Sequence, residues 1–578
     1  MKARLAAWVA PVGAAMLALV VHLRDVHAPF FADDWLFLDA TRHRSLFAAL
    51  AAPDPIGNFA RPLGRQAWFW TLDRLGGGSP ELFHAANLAL FVIAVLLVAA
   101  LARRVAGPRA AAVAAPFFAL THAADVPLLW ASGSQDLLAL VLALGALLVV
   151  EHVALAAGVL LLLALLAKET VLFSPLLALL LLRRTRTWGA SLRGALPMFG
   201  ALVLWAFTVG ARGFAQTLGG ASSGGAHATH TAAAMVAFAR TLTGFETGGQ
   251  ATLLAGVVLV VALGAALTML PALLARTEAP RAKTPDRGAL VLGLVWVLAG
   301  ALPVAAVAPI WSAYYFLFAL AGAAIALGAA CAAAPPWAGA VLVAALALGS
   351  AQARTRSDFA QEPDAWSTLS HVNRRYLSEG SGQSRALLAE LKRIHPTLAP
   401  NTTLFWSGLP PFSAFQAGDG PLVRVAYGDT SLRAYYLADM TVDRERRGPF
   451  RILRWVPATN SLEDTTDQPM TLVNVAMSML VRDDGAAVQG LSADLALPNE
   501  SQRTDAVLAA YASRVLAPQF PYSWRRWASI QILYGHYRLA HQSLERYFEL
   551  APEARTQDAE ALEWLDKLAT GPVSVAVP

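Results

Sequence analysis

Two adjacent carboxylates, Asp33 and Asp34, sit in Phe30-Phe31-Ala32-Asp33-Asp34-Trp35-Leu36-Phe37, directly after the first long apolar run. Neighbouring carboxylates repel and aromatic neighbours restrict water, so one of the pair gains proton affinity and suits general-base work. A helix cap at Asp33 is the plain alternative. A further acid, Asp136, closes the stretch Trp130-Ala131-Ser132-Gly133-Ser134-Gln135-Asp136. It either caps the helix that begins there or faces the same space, and Asp125 is a weaker candidate in the same loop. Lys168 and Glu169 interrupt two apolar runs; a polar pair at that depth either lines a cavity or marks a span boundary. Lys168 and Arg61 are the candidates for holding a phosphate, since an anionic leaving group needs charge-assisted hydrogen bonds. His84 and Asn87, one helical turn apart, either line the site or pack between helices. Tyr314 and Tyr315, with Trp311, read as an interfacial aromatic belt or as a wall of the site. His227 and His230 have a metal-compatible spacing in a Gly/Ser/Ala-rich stretch without an acid partner. No metal cluster is read from them, and a divalent metal stays open.

The elements that must position these residues are membrane helices. Of 578 residues, 56% are hydrophobic and 15% charged, which excludes an ordinary soluble protein. Apolar runs near 5–22, 82–101, 109–122, 134–150, 153–167, 170–182, 195–211, 251–274, 289–308, 312–332 and 337–353 predict about eleven spans. The first is read as an uncleaved span, not a signal peptide, because its apolar core is long and Pro29 follows the only cleavage-like site. Basic clusters at Lys2/Arg4, Arg103/Arg104/Arg109, Arg183/Arg184/Arg186/Arg193 and Arg276/Arg281/Lys283/Arg287 fall on one side if the spans alternate. That side is cytoplasmic by the positive-inside rule. The loop 23–80, the loop 212–250 and everything after about residue 354 then lie outside. The basic residues are topology determinants and not a nucleic-acid surface. The single cysteine, Cys331, lies in an apolar run, so no disulfide framework exists.

Within the loop 23–80, Arg61-Pro62-Leu63 opens a helical stretch that Gly76-Gly77-Gly78 ends, and Ser79-Pro80-Glu81 starts the second span. The loop is expected to lie on the membrane as two amphipathic helices. Residues 354–480 read as a soluble α/β region, with a helix at Ser384–Ile394 and strands at Thr403–Trp406 and Leu422–Tyr427. Residues 481–578 read as a helical tail. Gly535–Ala540, Leu544, Tyr547, Leu550 and Pro552 are similar to half a tetratricopeptide unit, or equally to an ordinary amphipathic helix pair.

Taken together, the membrane part, 1–353, resembles over roughly residues 5–330 the GT-C superfamily of polyprenyl-phosphate-dependent glycosyltransferases. It is most similar to the protein O-mannosyltransferase branch, including its tetratricopeptide-bearing members and bacterial relatives. The resemblance rests on Asp33-Asp34, Arg61-Pro62-Leu63, Phe83-His84-Ala85-Ala86-Asn87, Trp130-Ala131-Ser132-Gly133 with Asp136, Leu166-Ala167-Lys168-Glu169-Thr170, and Tyr314-Tyr315, in that order.

The resemblance implies an inverting transfer at the outer face of a bacterial inner membrane. Asp33 would be the base, Asp34 or Asp136 its support, and Arg61 and Lys168 the phosphate ligands. His84, Asn87, Glu169, Tyr314 and Tyr315 would line the site. The partners implied are a polyprenyl-phosphate-linked sugar, a protein, lipid or glycan acceptor, and membrane lipid. Two rival readings are a transporter or flippase of a lipid-linked sugar and a membrane-anchored scaffold presenting the C-terminal part. The absence of two similar halves, and the polar groups clustered at outer span ends, argue against passage.

Overall fold

The computed structural model describes residues 8–57, 60–210, 228–244, 286–305, 312–355, 372–409, 411–418, 420–437, 448–466, 524–525, 527–528, 531–532 and 535–570. The chain divides into two compact units, residues 1–385 and 386–578.

The first unit is helical. Its elements are α1 (Val9–His22), α2 (Asp33–Arg42), α3 (Leu46–Ala51), a π-helical turn at Leu63–Ala67, α4 (Trp68–Gly76), α5 (Pro80–Ala106), α6 (Pro108–Leu120), α7 (Asp125–Leu129) and α8 (Ser134–Val149). There follow α9 (Ala154–Ala167), α10 (Ser174–Arg183), α11 (Trp188–Trp205), α12 (Ala228–Thr243), α13 (Arg287–Ala301), α14 (Leu317–Ala332), α15 (Pro336–Thr355) and α16 (Arg374–Ile394), whose last residues, from 386 on, belong to the second unit.

Among the described residues, seven helices are long and apolar enough to cross a membrane: Val9–His27, Pro80–Ala106, Ala131–Val149, Trp188–Val209, Arg287–Ala305, Ala313–Ala332 and Pro336–Thr355. An eighth would be the pair Pro108–Leu120 and His122–Leu129, bent by 50°. These helices are compatible with a helical membrane protein, with fewer full-length helices among the described residues than the eleven expected. The expected spans 153–167 and 170–182 are helices of 14 and 10 residues. At 1.5 Å per residue they rise only about 21 and 15 Å, short of the ~30 Å hydrocarbon layer. The expected span 251–274 lies outside the described residues.

The bend after α6 has a local cause. Thr121 leaves the helical region and accepts, through its side chain, the N–H of Ala123, opening a new turn. Residues 122–133 then form a short hairpin of helical turns that leads into α8. Gly133 permits it: a Cβ there would come within 2.3 Å of the Cα of Pro127.

The second unit carries a four-stranded sheet of β1 (Thr403–Ser407), β2 (Arg433–Tyr436), β3 (Phe450–Val456) and β4 (Ser461–Asp464) in the order β2-β1-β3-β4. β1 runs parallel to both neighbours, and β4 is antiparallel to β3. Two short helices, α17 (Pro411–Gly418) and α18 (Pro421–Tyr427), separate β1 from β2. The expected strand at Leu422–Tyr427 is thus a helix. Pro421 fills its first position, and Gly420 and Gly428, both left-handed, bracket it, outweighing the β-branched content. Farther on, α19 (Tyr537–Leu550) and α20 (Arg555–Thr570) form a helical hairpin around Ala540, Leu544, Tyr547, Phe548 and Leu565.

Candidate functional site

The site begins at a strained turn. Ala32 has φ 51°, a conformation L-residues rarely adopt, and the N–H of Asp34 closes the turn on the carbonyl of Phe31 at 3.2 Å. A non-glycine residue there costs on the order of 1–3 kcal/mol, so surrounding contacts must hold it. They do so at several atoms. The N–H of Phe31 donates to Asp34 Oδ2 at 3.0 Å, and Trp130 Nε1 donates to the Phe31 carbonyl at 3.2 Å. The Phe31 ring packs edge-on against Tyr376 at 5.6 Å.

The two carboxylates on this turn differ in kind. Asp34 is fully buried and accepts the Ser132 N–H at 2.7 Å and the Ser132 hydroxyl at 2.5 Å, besides Phe31. It fastens the turn to the hairpin 122–133. Burial pushes its pKa up to about 7 against those donors. Asp33 occupies the first position of α2 but does not cap it, the cap residue being Ala32. It is partly exposed. Among the described residues nothing hydrogen-bonds to its carboxylate. Desolvation pushes its pKa up to about 6; Arg65, Arg61 and Lys168 oppose this, and Asp54 adds to it.

His84 and Asn87 do not line this space; they build the hairpin. His84 Nδ1 lies 2.9 Å from the Leu128 carbonyl. Asn87 Nδ2 donates to the carbonyls of Pro127, Trp130 and Ala131 at 2.9 to 3.2 Å. Both side chains are buried. The carbonyls of Trp130 and Ala131 also accept the backbone N–H groups of Gly133 and Ser134, and α5 adds the side-chain donors that tie the hairpin to it. Asp125, in the same hairpin, is bound bidentately by Arg354, with His22 Nε2 at 3.9 Å. It belongs to a separate cluster with Asp25 and Arg374.

Around Asp33 lies a set of ion pairs. Arg61 and Arg65 are four residues apart on one turn, and both donate to Gln135 Oε1, at 3.1 and 3.0 Å. Gln135 in turn donates to the Ser132 carbonyl at 3.0 Å. Arg65 also pairs with Asp54 at 2.5 Å, and Arg61 binds Glu169 bidentately. Burial opposes the charge on Glu169, yet the Arg61 guanidinium holds its carboxyl below the usual range. Gly64 allows this gathering: a Cβ would come within 2.8 Å of the Ala167 carbonyl and 2.9 Å of Gln135 Cγ.

Lys168 is committed elsewhere. Its ammonium contacts both oxygens of Asp136, at 2.7 and 2.8 Å, and lies 5.1 Å from the ring centres of Tyr314 and Tyr315. Asp136 accordingly serves neither as a cap nor as a free acid; the cap position is Gly133 and makes no side-chain cap bond. Tyr314 packs edge-on against Trp130 at 6.3 Å, joining this pair to the Phe31 turn.

The structure therefore brings together Asp33, Asp34, Arg61, Lys168, Glu169, Asp136, Tyr314 and Tyr315. Ser132, Gln135, Arg65 and Asp54 complete the cluster and were not singled out in the sequence. The i,i+4 spacing of Arg61 and Arg65 was the available signal for one of them. Among the described residues no group of three or more His, Cys, Asp or Glu side chains is placed to hold a metal ion. His227 and Trp311 lie outside the described residues, and the side chain of His230 does too. Compared with protein-family models, curated proteins and solved structures, the chain finds no match.

Proposed function

We propose that this protein is an inverting glycosyltransferase that moves a sugar from a polyprenyl-phosphate donor to an acceptor hydroxyl, with Asp33 as the general base. The observation that carries the reading is the contrast between the two acids. Asp34 spends its carboxylate on three donors, while Asp33 stays unbonded, partly open and beside two arginines. Asp33 takes the acceptor's proton as that oxygen attacks the anomeric carbon. The anomeric carbon–oxygen bond breaks on the opposite face, and the polyprenyl phosphate leaves with its electron pair. Arg61 offsets the charge of that phosphate. Asp34 positions the turn, and Lys168 with Asp136 braces the wall behind it. The site faces the exterior, on the side away from the basic clusters, and the membrane is a bacterial inner membrane.

The test is transfer of labelled sugar from synthetic polyprenyl-phosphate donors in membranes, comparing wild type with Asp33→Asn at equal expression. Loss of at least ~10²-fold with donor binding retained supports the base. Equal transfer by both removes Asp33 from the chemistry. The bent pair α6–α7 favours one rival, a lipid-linked sugar flippase, because broken helices line transport paths. Donor flipping in vesicles without transfer would establish that rival.

A further inference from the structure

Three ion pairs surround the turn, and their exposure separates them. Lys168–Asp136 is 6% and 6% exposed, and Arg65–Asp54 is 3% and 9%. Arg61–Glu169 is 11% and 21% exposed, so it is the most open of the three pairs around Asp33, while the other two are buried. Its geometry is the two-pronged fork in which a guanidinium grips either a carboxylate or a phosphate. Glu169 also lies outside any long helix. It follows Lys168, whose backbone is extended (φ −163°, ψ 142°), and it opens a three-residue turn and not a long helix.

We infer that Glu169 is a built-in stand-in for the donor's phosphate: it occupies the anion seat on Arg61 until a polyprenyl phosphate displaces it. The inference rests on the proposed donor. Gln135 keeps Arg61 aimed at the seat throughout, because its bond comes from a different nitrogen, Nη1. Displacement exchanges one anion for another, so Arg61 is never left uncompensated beside Arg65. The internal carboxylate also sets a threshold. A neutral lipid or a weakly held anion does not open the fork, whereas a phosphate does. Apparent affinity falls by the fraction of molecules in which the seat is free; with one in ten free, the donor binds about tenfold more weakly than its intrinsic affinity.

The experiment is binding of a short-chain polyprenyl phosphate to the full chain in lipid nanodiscs, with the corresponding polyprenol as control. Wild type is compared with Glu169→Gln, Glu169→Asp and Arg61→Gln, and thermal unfolding shows which variants are folded. Glu169→Gln keeps a neutral acceptor for Arg61, and Glu169→Asp withdraws the carboxylate by one methylene. Both are expected to bind the phosphate about tenfold more tightly, and Arg61→Gln to lose the preference for phosphate over polyprenol. Unchanged or weaker binding in folded Glu169 variants, with Arg61→Gln still defective, overturns the stand-in and leaves the donor reading intact. Equal binding of phosphate and polyprenol by wild type overturns both.

Discussion

Replacing Lys168 with Met removes the ammonium and leaves Asp136 buried beside Tyr314 and Tyr315. Both members of this pair are 6% exposed and meet at 2.7 Å, so an unpartnered carboxylate at that depth has little access to water. Breaking such a pair from one side costs ~3–5 kcal/mol, because the remaining charge stays desolvated. Loss of the two ring contacts at 5.1 Å adds on the order of 0.5–1 kcal/mol each. Asp136→Leu is expected to destabilise by a similar amount. The double variant, which removes both charges and leaves apolar side chains of similar volume, should regain most of the loss. The assay is thermal unfolding in nanodiscs across the four-member cycle, with polyprenyl-phosphate binding measured on each folded member. Single variants costing less than ~1 kcal/mol would refute the buried pair. A folded double variant that no longer binds polyprenyl phosphate would refute the structural role and return Lys168 to the anion site.

Three other outcomes follow from the same geometry. Asp33 acts only when ionised, and its pKa is pushed up to about 6; transfer at saturating donor should rise with pH through about 6 and level above it, whereas a plateau reached near ~4 would mean an ordinary carboxylate. Asp34 has a folded pKa raised to about 7, so its ionisation is disfavoured by folding; its contribution to stability is fully present below the unfolded value near ~4 and is lost as pH rises through about 7, which unfolding at pH 5 and 8 would detect against Asp34→Asn. Asn87→Leu removes the donor that ties α5 to the carbonyls of Pro127, Trp130 and Ala131, the last two keeping the N–H groups of Gly133 and Ser134, and should destabilise by on the order of 1–3 kcal/mol, with transfer falling because Ser132 shifts with the hairpin; unaltered stability would sever α5 from the site.

Much of this was open to reading in the chain because membrane helices advertise themselves through run length. The acids on the first loop, the end of α4 at Gly76-Gly77-Gly78 and the Pro80 start of α5 are local signals and could be read locally. What failed was whatever depended on partners far along the chain. Nothing adjacent to Asp136 indicates that Lys168, 32 residues on, will neutralise it, so a committed acid resembled a free one. For His84 and Asn87 the sequence left lining the site and packing between helices equally open, and only their bonds to backbone carbonyls about 40 residues away decide for packing. The short helices α9 and α10 were counted as spans because an apolar run shows in hydropathy whether or not it has the ~20 residues a crossing helix needs. Arg65 was passed over although its i,i+4 spacing from Arg61 could be read; only Gln135, which both arginines bind, shows that the two act together.

The left-handed Ala32 makes position 32 a narrow gate for drift in this chain. Glycine would relieve the strain but also loosen the unfolded chain, a gain and a loss of comparable size. Valine, isoleucine or threonine would crowd a backbone that already tolerates a single methyl poorly. In a library of random single substitutions, tolerated changes at this position should therefore be few and small, chiefly glycine, asparagine and aspartate. Its neighbour Leu36, by contrast, is under no such backbone constraint. A steep contrast over four residues would mark the turn by inheritance alone, before any assay of what the turn does.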